Sequence, residues 1–327
     1  MPPERNRTPL RIVSLLPAAT EIVCALGGLD ELVGRSHECD FPPGLDGRPV
    51  LTASRIGRPG ERSGEIDARV RDVLQSALSI YTLDSAALAA AKPDVIVTQD
   101  LCEVCAVSMD DVVEAARGLT NPEVRIVSLR PTKLADIRAD IVTVAEAIGR
   151  EREGVALLAH FDQRIEDVRR RATRWAGRSA SPVPRVLTLE WLDPPMVGGT
   201  WMPELVELAG GQPLVTRAGE PAATLTPDEL ARLDPPPDVV LVKPCGFTIP
   251  RVVQEADWLS GLLAEMPWPA VRERRVFIAD GNAYFNRPGP RIADSLEILA
   301  ACVHPNAFAD LAQRHAAGFR RFGVRHR

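Results

Sequence analysis

The pattern that most constrains the fold is an alternation of short apolar runs with helical segments, interrupted once near the middle of the chain. Alternation of this kind predicts a parallel sheet with helices on both of its faces. In the first part of the chain, the predicted strands cover residues 11–16, 32–35, 94–98 and 124–129. The predicted helices there cover residues 17–26, 66–78 and 107–119, with a shorter helix between Asp84 and Pro93.

The alternation stops where two helical patterns, 133–148 and 151–175, follow one another with no strand between them. A linker rich in Ser and Pro follows at 177–184, and alternation then resumes. The sequence therefore predicts an α/β fold of two Rossmann-like lobes joined by a long backbone helix, divided as 1–150, 151–177 and 178–327. In the second lobe we predict strands at 185–191, 238–242 and 275–279, helices at 201–208, 250–263, 290–302 and 306–317, and a frayed basic tail at 320–327.

Composition excludes some functions and bears on location. A net charge of -5 gives no reason to expect nucleic acid or an anionic membrane as partner. No stretch reaches the roughly 18 to 20 apolar residues that a membrane span needs. The apolar residues 12–26 are interrupted by Pro17 and Glu21 and lack a cleavage site, so they are interpreted as strand and helix rather than a signal peptide. We therefore expect a cytoplasmic protein with reduced thiols, or a periplasmic or surface-exposed one if the gene start is truncated.

Two loops combine cysteine, histidine and acidic residues, and each directly follows a predicted strand. They are His37-Glu38-Cys39-Asp40 and Cys102-Glu103-Val104-Cys105. Loops at the carboxyl ends of strands line the ligand crevice of an open α/β sheet. His37, Cys39, Cys102 and Cys105 together form a ligand set suited to zinc or iron. The alternatives are a redox Cys-x-x-Cys pair, or cysteines that serve only as small apolar residues in a cleft wall.

His37 has a second predicted role, because a neutral imidazole is a good axial ligand for cobalt or iron. The other histidines are predicted to lie at the surface. Asp100, with Glu103 and Glu38, adds carboxylates that accept hydrogen bonds from a ligand. An acid–base pair in an enzyme is the alternative role for these carboxylates.

Aromatic residues follow the predicted strands of the second lobe. A large flat ligand needs apolar and aromatic walls with a few polar anchors. Ordinary loop packing is the alternative explanation for these aromatic residues. The candidate binding residues in this lobe are Trp191, Cys245, Phe247, Tyr284, Phe285 and Asn286.

Four stretches resemble the class III periplasmic binding proteins, above all the cobalamin-binding group. They are residues 11–21 (RIVSLLPAATE), 32–37 (LVGRSH) with 40–43 (DFPP), 92–96 (KPDVI) and 205–211 (LVELAGG). The motifs HECD (37–40), CEVC (102–105), PCGF (244–247) and DGNAYFN (280–286) resemble a variant of that group.

The resemblance implies two lobes that close on a corrin ring and an acidic residue on each lobe that docks on a membrane permease. Glu207 falls at the second docking position, whereas Ala86 occupies the first. The leading hypothesis is a monomeric, non-catalytic protein that binds cobalamin or another corrinoid in the interlobe cleft, as a carrier, storage or substrate-binding protein. The alternative is a cytosolic metal-binding or Cys-dependent redox protein or enzyme that uses the His37, Cys39, Cys102 and Cys105 cluster.

Overall fold

The computed structural model describes residues 9–56, 60–75, 80–99, 108–117, 119, 121, 123–178 and 182–324. The chain divides into two compact units. The first unit contains residues 1–58, 69–130 and 138–158, and the second contains residues 59–68, 131–137 and 159–327. None of the described helices combines the length and the apolarity that a bilayer span requires.

The first half of the chain alternates strands and helices much as the sequence pattern predicts. Its elements are β1 (Ile12–Ser14), α1 (Pro17–Ala25), β2 (Leu32–Arg35), β3 (Thr52–Ser54), α2 (Ser63–Gln75), β4 (Tyr81–Leu83), α3 (Ser85–Ala91), β5 (Val95–Gln99), α4 (Met109–Arg117), β6 (Arg125–Leu129), α5 (Leu134–Ile148) and α6 (Glu151–Ala176).

A parallel sheet with the strand order β2-β1-β5-β6 forms the centre of the first unit. Every residue of β1 and β5 is buried, as expected for parallel strands covered by helices on both faces. Pro17 starts α1 because its missing N–H is not needed in the first turn. Gly27 follows the helix with a φ of +83°, a conformation that glycine adopts without strain.

A small antiparallel ribbon of β3 and β4 lies outside the main sheet, and the sequence pattern does not predict it. Each of its strands has only three residues, too few for a clear alternation of apolar and polar side chains. Its position matters because Thr52 of β3 and Tyr81 of β4 both contact His37.

The second unit is built on a mixed sheet. The remaining elements are β7 (Arg185–Trp191), β8 (Met196–Val197), α7 (Met202–Leu208), β9 (Gln212–Pro213), β10 (Ala223–Thr224), α8 (Pro227–Ala231), β11 (Val239–Val242), α9 (Ile249–Gln254), α10 (Ala256–Ala264), α11 (Pro269–Arg272), β12 (Val276–Ala279), α12 (Ile292–Val303), α13 (Ala309–Arg314) and β13 (Phe319–Arg321). The strands β7, β11 and β12 are parallel neighbours and form its buried centre. Short antiparallel strands close both edges, with β8 and β10 beside β7 and β13 beside β12.

Two predictions about the second lobe need correction. The supposed frayed tail begins inside β13, where Phe277 pairs with Arg321 and the rings of Phe277 and Phe319 lie 6.3 Å apart. The predicted helix at 250–263 is divided at Glu255 into α9 and α10. The side chain of Glu255 is buried and bonded to another segment, which a helical period does not reveal.

The long helix α6, predicted to be the segment that connects the two lobes, contributes residues to both compact units. Leu157 and Leu158 pack on the core of the first unit, while residues from 159 onward belong to the second. Residues 59–68 and 131–137 also belong to the second unit, although they precede the helix in the chain. Their membership depends on long-range contacts, which a local sequence pattern does not contain.

A buried ion-pair network joins α6, α12 and the end of α13. Glu297 of α12 is 3% exposed. Its carboxylate accepts hydrogen bonds from Arg164 Nε at 2.8 Å and Arg314 Nη1 at 3.2 Å, and lies 2.7 Å from His315 Nε2. Arg164 also donates to Asp294 at 2.8 Å. His315 is buried here, and His304 is buried against the Gly210 carbonyl, so the prediction that both lie at the surface is wrong. Each imidazole has a specific hydrogen-bond partner from a distant part of the chain.

The protonation of Glu297 should control stability in acid. Burial raises the pKa of this carboxyl, but the bonds from His315 and Arg164 outweigh burial and lower the pKa from 4.5 to about 2. Because the folded pKa lies below the unfolded one, the stabilisation is complete above about pH 5 and is lost as the pH falls toward 2. We expect Glu297→Gln to lower the free energy of unfolding at neutral pH by about 3 kcal/mol and to flatten its decline between about pH 5 and about pH 3.

Urea unfolding at a series of pH values measures this effect. The exposed Glu265 provides a matched control, and Glu265→Gln should follow the wild-type curve. If the free energy of unfolding of Glu297→Gln declined in acid as steeply as that of the wild type, protonation of Glu297 would not be the cause of the decline.

A second buried carboxylate, Glu255, fixes the start of α2 within the second unit. Glu255 is 5% exposed and accepts hydrogen bonds from the Ser63 N–H at 2.9 Å and from the Ser63 hydroxyl at 2.5 Å. Arg251 pairs with the same carboxylate at 2.9 Å. The bonds explain why residues around Ser63 belong to the second unit.

Removing Glu255 should destabilise the second unit because it leaves the buried Ser63 and the positive charge of Arg251 without their carboxylate partner. We expect Glu255→Ala to cost about 3 kcal/mol and Ser63→Ala to cost about 1 to 2 kcal/mol. Since the two residues share their interaction, the double variant should be little worse than Glu255→Ala alone in chemical denaturation. Simple additivity of the two losses would show that they do not interact.

Candidate functional site

Only part of the site predicted in the first unit lies within the described residues. His37 and Cys39 follow β2 and lie within the described residues. Asp100, Cys102, Glu103 and Cys105 lie outside them. The predicted zinc or iron site at His37, Cys39, Cys102 and Cys105 therefore stays a prediction.

His37 is half-buried and held in one orientation by the β3–β4 ribbon. Its Nδ1 lies 2.7 Å from the Thr52 hydroxyl, and its ring centroid lies 5.3 Å from that of Tyr81. Thr52 Oγ1 also accepts a hydrogen bond from the His37 N–H at 3.1 Å and bonds to Ser36 Oγ at 3.0 Å, so the ring is fixed through Nδ1. With the proton on Nδ1, Nε2 carries a lone pair, and no other described residue bonds to it. An imidazole fixed through one nitrogen with the other open is the usual arrangement of a metal-ligating histidine.

The electrostatics around His37 favour the neutral imidazole. Burial lowers the pKa of His37, and the nearby Glu38 carboxylate opposes this only in part. Glu38 accepts a hydrogen bond from the Tyr81 hydroxyl at 2.9 Å. The loop thus presents an uncharged nitrogen ligand beside an exposed carboxylate.

Cys39 is packed in the core of the first unit. Its side chain is 1% exposed, and its Sγ lies 3.0 Å from the Thr20 hydroxyl. Its backbone carbonyl accepts a hydrogen bond from Arg35 Nη1 at 2.8 Å. This environment favours the packing role that was the alternative for this cysteine.

In the second unit, the predicted binding residues gather at the carboxyl ends of β7, β11 and β12. Trp191 ends β7, and its ring centroid lies 5.2 Å from that of Phe247 in the loop after β11. Trp191 is half-buried and Phe247 is 6% exposed. The Arg251 guanidinium lies 4.2 Å from the centroid of the Phe247 ring. These contacts form an aromatic surface of which Trp191 is the accessible part.

The loop after β12 separates its two aromatic residues. Tyr284 is half-buried, and the Arg291 guanidinium lies 5.6 Å from its ring centroid. Phe285 has no exposed surface, so its prediction as a ligand contact needs correction. Its φ of +68° turns the chain inward, its N–H donates to Ser295 Oγ at 2.9 Å, and its carbonyl accepts from Trp201 Nε1 at 2.8 Å. Phe285 is therefore a buried residue that fixes the position of the loop through its backbone hydrogen bonds.

Asn286 is part of a polar cluster that the sequence pattern does not predict. Its Oδ1 accepts a hydrogen bond from Lys243 Nζ at 2.9 Å, and Lys243 also pairs with Glu190 at 2.9 Å. Cys245 is exposed beside them, and its N–H donates to the Glu190 carbonyl at 3.0 Å. A signal was available, because the chain has only three lysines and Lys243 directly follows an apolar strand.

The two positions suggested for permease docking are both at the surface. Glu207 is exposed on α7, and Ala86 is exposed on α3. Asp84, the acidic residue nearest Ala86, accepts a hydrogen bond from the Ala87 N–H at 2.8 Å and so caps α3.

Comparison with known proteins agrees with this architecture. A family model described as periplasmic binding protein matches residues 12–283. The chain is 21% identical over 319 residues to an uncharacterized ABC transporter substrate-binding lipoprotein, YvrC, of Bacillus subtilis (strain 168), covering 93% of this chain and 83% of the relative.

Two solved structures show the same fold. A periplasmic heme-binding protein from Pseudomonas aeruginosa has a TM-score of 0.67 and 20% identity, with 91% of this chain and 94% of the other covered. The periplasmic vitamin B12-binding protein BtuF of Vibrio cholerae has a TM-score of 0.63 and 20% identity, with 90% and 97% covered. These similarities confirm the class III periplasmic binding protein fold.

The family match also corrects one expectation. The prediction of a cytoplasmic location is wrong, because the matching family is that of periplasmic binding proteins and the Bacillus subtilis relative is a transporter lipoprotein. Small-molecule binding in an ABC transporter context, rather than catalysis, is the coarse function that this family supports. On the match over residues 12–283, and on a fold shared over most of its length, the chain belongs to the periplasmic binding protein family.

Proposed function

We propose that this protein is the substrate-binding component of an ABC transporter, acts outside the cytoplasmic membrane, and binds a metal-centred macrocycle of the corrinoid class. The observation that carries the proposal is His37, an imidazole whose pKa is lowered by burial, which Thr52 fixes through Nδ1 and whose Nε2 has no partner among the described residues. Imidazole nitrogen is a suitable axial ligand for the cobalt of a corrinoid. The solved structures of similar fold include binders of heme and of vitamin B12.

The aromatic and polar residues of the second unit fit the same ligand class. Trp191 and Tyr284 offer accessible ring surface, and the exposed Cys245 adjoins the Glu190 and Lys243 pair. A large, flat ligand gains most of its affinity from such apolar surface and its orientation from a few polar groups. None of these residues is proposed to make or break a covalent bond of the ligand, so we propose binding without catalysis.

Glu207 is the proposed contact with a permease. It is exposed on the short helix α7, where a cationic partner can reach it. Ala86 supplies no charge at the other position, so the proposed docking depends more heavily on the second unit.

Ligand binding tests the proposal directly. We expect the purified protein to bind cyanocobalamin or aquacyanocobinamide with a dissociation constant in the micromolar range or tighter by isothermal titration calorimetry. Hemin titrated under the same conditions is the competing ligand. Tight hemin binding without corrinoid binding would overturn the corrinoid assignment while leaving the fold assignment intact.

Replacing His37 should remove the contribution of the metal-ligating nitrogen. Aquacyanocobinamide has an exchangeable water on cobalt, so binding to the wild type should shift its visible bands as imidazole replaces the water. We expect His37→Ala to abolish that shift and to weaken binding about tenfold or more, or about 1.4 kcal/mol.

His160→Ala provides the matched control, because His160 is an exposed histidine on α6. It should leave both the spectrum and the affinity unchanged. Because burial lowers the pKa of His37 below its usual value near 6.5, the shift should persist through mildly acidic pH and be lost only as the pH falls through that lowered pKa. An identical spectrum with the His37→Ala variant would show that His37 does not contact the metal.

A further inference from the structure

A buried lysine holds a carboxylate at the ligand-binding edge of the second unit. Lys243 directly follows β11, and its side chain is 1% exposed. Its Nζ donates to Glu190 Oε2 and to Asn286 Oδ1, both at 2.9 Å. Asn286 donates in turn from Nδ2 to the carbonyls of Lys243 at 3.1 Å and Gly281 at 2.8 Å. The three side chains therefore form one fixed cluster.

Stability alone does not explain this cluster. Removing an ammonium group and a carboxylate from water costs several kcal/mol per ion, and apolar residues of the same size often stabilise a fold as well or better. Gly198 packs closely beside the pair, because a Cβ there would lie 2.6 Å from Thr188 Oγ1 and 3.3 Å from Glu190 Oε2. The arrangement is therefore expected to serve recognition.

One oxygen of Glu190 remains available to a ligand. Lys243 binds Oε2, whereas no described residue donates to Oε1, and the side chain is 24% exposed. Glu190 lies next to Trp191, the accessible aromatic residue, and at the carboxyl end of β7. Ligands of open α/β sheets bind at this end of the strands. The free oxygen therefore lies where a bound ligand would meet the second unit.

We propose that Glu190, oriented by Lys243, selects the ligand by accepting a hydrogen bond from one of its amide groups. This inference rests on the proposed function and specifies the ligand class further. An ionised carboxylate accepts hydrogen bonds and cannot donate one. A ligand amide supplies the matching N–H, and a bond to a charged acceptor is stronger than one between neutral groups. A ligand carboxylate at the same place would have no hydrogen to donate, and its negative charge would be repelled by Glu190.

Two cations near this cluster are already paired with protein carboxylates. Lys243 is paired with Glu190, and Arg251 is paired with the buried Glu255 at 2.9 Å. A peripheral carboxylate of the ligand, such as a heme propionate, would have to compete with these protein carboxylates for its cation. The cluster therefore favours a macrocycle whose peripheral groups are amides over one whose peripheral groups are acids.

Two corrinoids with the same ring test the inference. Dicyanocobinamide carries peripheral amides, whereas dicyanocobyrinic acid carries carboxylates at the corresponding positions. We expect the wild-type protein to bind the amide form at least tenfold more tightly in calorimetric titration, because a hydrogen bond to a charged group contributes about that factor or more.

Glu190→Gln should reduce this preference about tenfold or more. The glutamine has a single acceptor oxygen, and when that oxygen accepts the hydrogen bond from Lys243, the donor NH₂ group faces the ligand amide instead of an acceptor. Glu190→Asp keeps the negative charge beside Lys243 but withdraws the free oxygen, and should reduce the preference as well. Glu265→Gln, an exposed change on the same unit, should leave the preference as in the wild type.

The outcomes separate the two proposals. A preference for the amide form that survives both Glu190 variants, or equal wild-type binding of both corrinoids, overturns the role of Glu190 and leaves corrinoid binding in place. Failure of the wild type to bind either corrinoid overturns the proposed ligand class and this inference with it. Thermal melting identifies any variant that does not fold. The role of Glu190 is then tested by the binding of the two corrinoids to the wild type and by the variant that does fold.

Discussion

Burial of the parallel strands on both faces is the constraint on which the rest of this structure depends. The strands β1, β5, β11 and β12 have no exposed residue, so their side chains are almost all apolar. Polar chemistry is thereby confined to the strand ends and the loops beyond them. His37 after β2, Lys243 after β11 and the loop containing Tyr284 after β12 all occupy such positions.

Charged groups that are nevertheless buried fall into two kinds. Glu297 and Glu255 are bonded through both oxygens to groups from distant parts of the chain, and both connect helices or loops. Their role is structural, because no part of either carboxylate remains for a ligand. Glu190 differs because its partner Lys243 binds one oxygen and no described residue binds the other. Counting the hydrogen bonds of each carboxylate thus distinguishes a structural residue from a recognition residue.

Recognition in both units depends on side chains that are fixed before a ligand arrives. Thr52 and Tyr81 hold the His37 ring, and Lys243 with Asn286 holds Glu190. A group that is already oriented loses little conformational entropy on binding, which improves affinity and selectivity together. Neither supporting pair touches the ligand in our proposal, yet each determines what the contacting atom can do. Substitution of Thr52 or Lys243 would therefore act through the residue it orients.

Local periodicity in the sequence was sufficient to determine the order of the main parallel strands and their helices, the two-lobed α/β class, the long helix α6 and the loops that carry polar chemistry. These features depend on residues close together in the chain. The tertiary structure decided that Cys39 and Phe285 are buried, that β3 and β4 orient His37, that His315 joins a buried network, and that Lys243 holds Glu190. Each of these depends on groups at least 15 residues apart, or on the burial of a single side chain. The free energy of such contacts arises only when the chain is packed, so no periodic pattern in the sequence can reveal them.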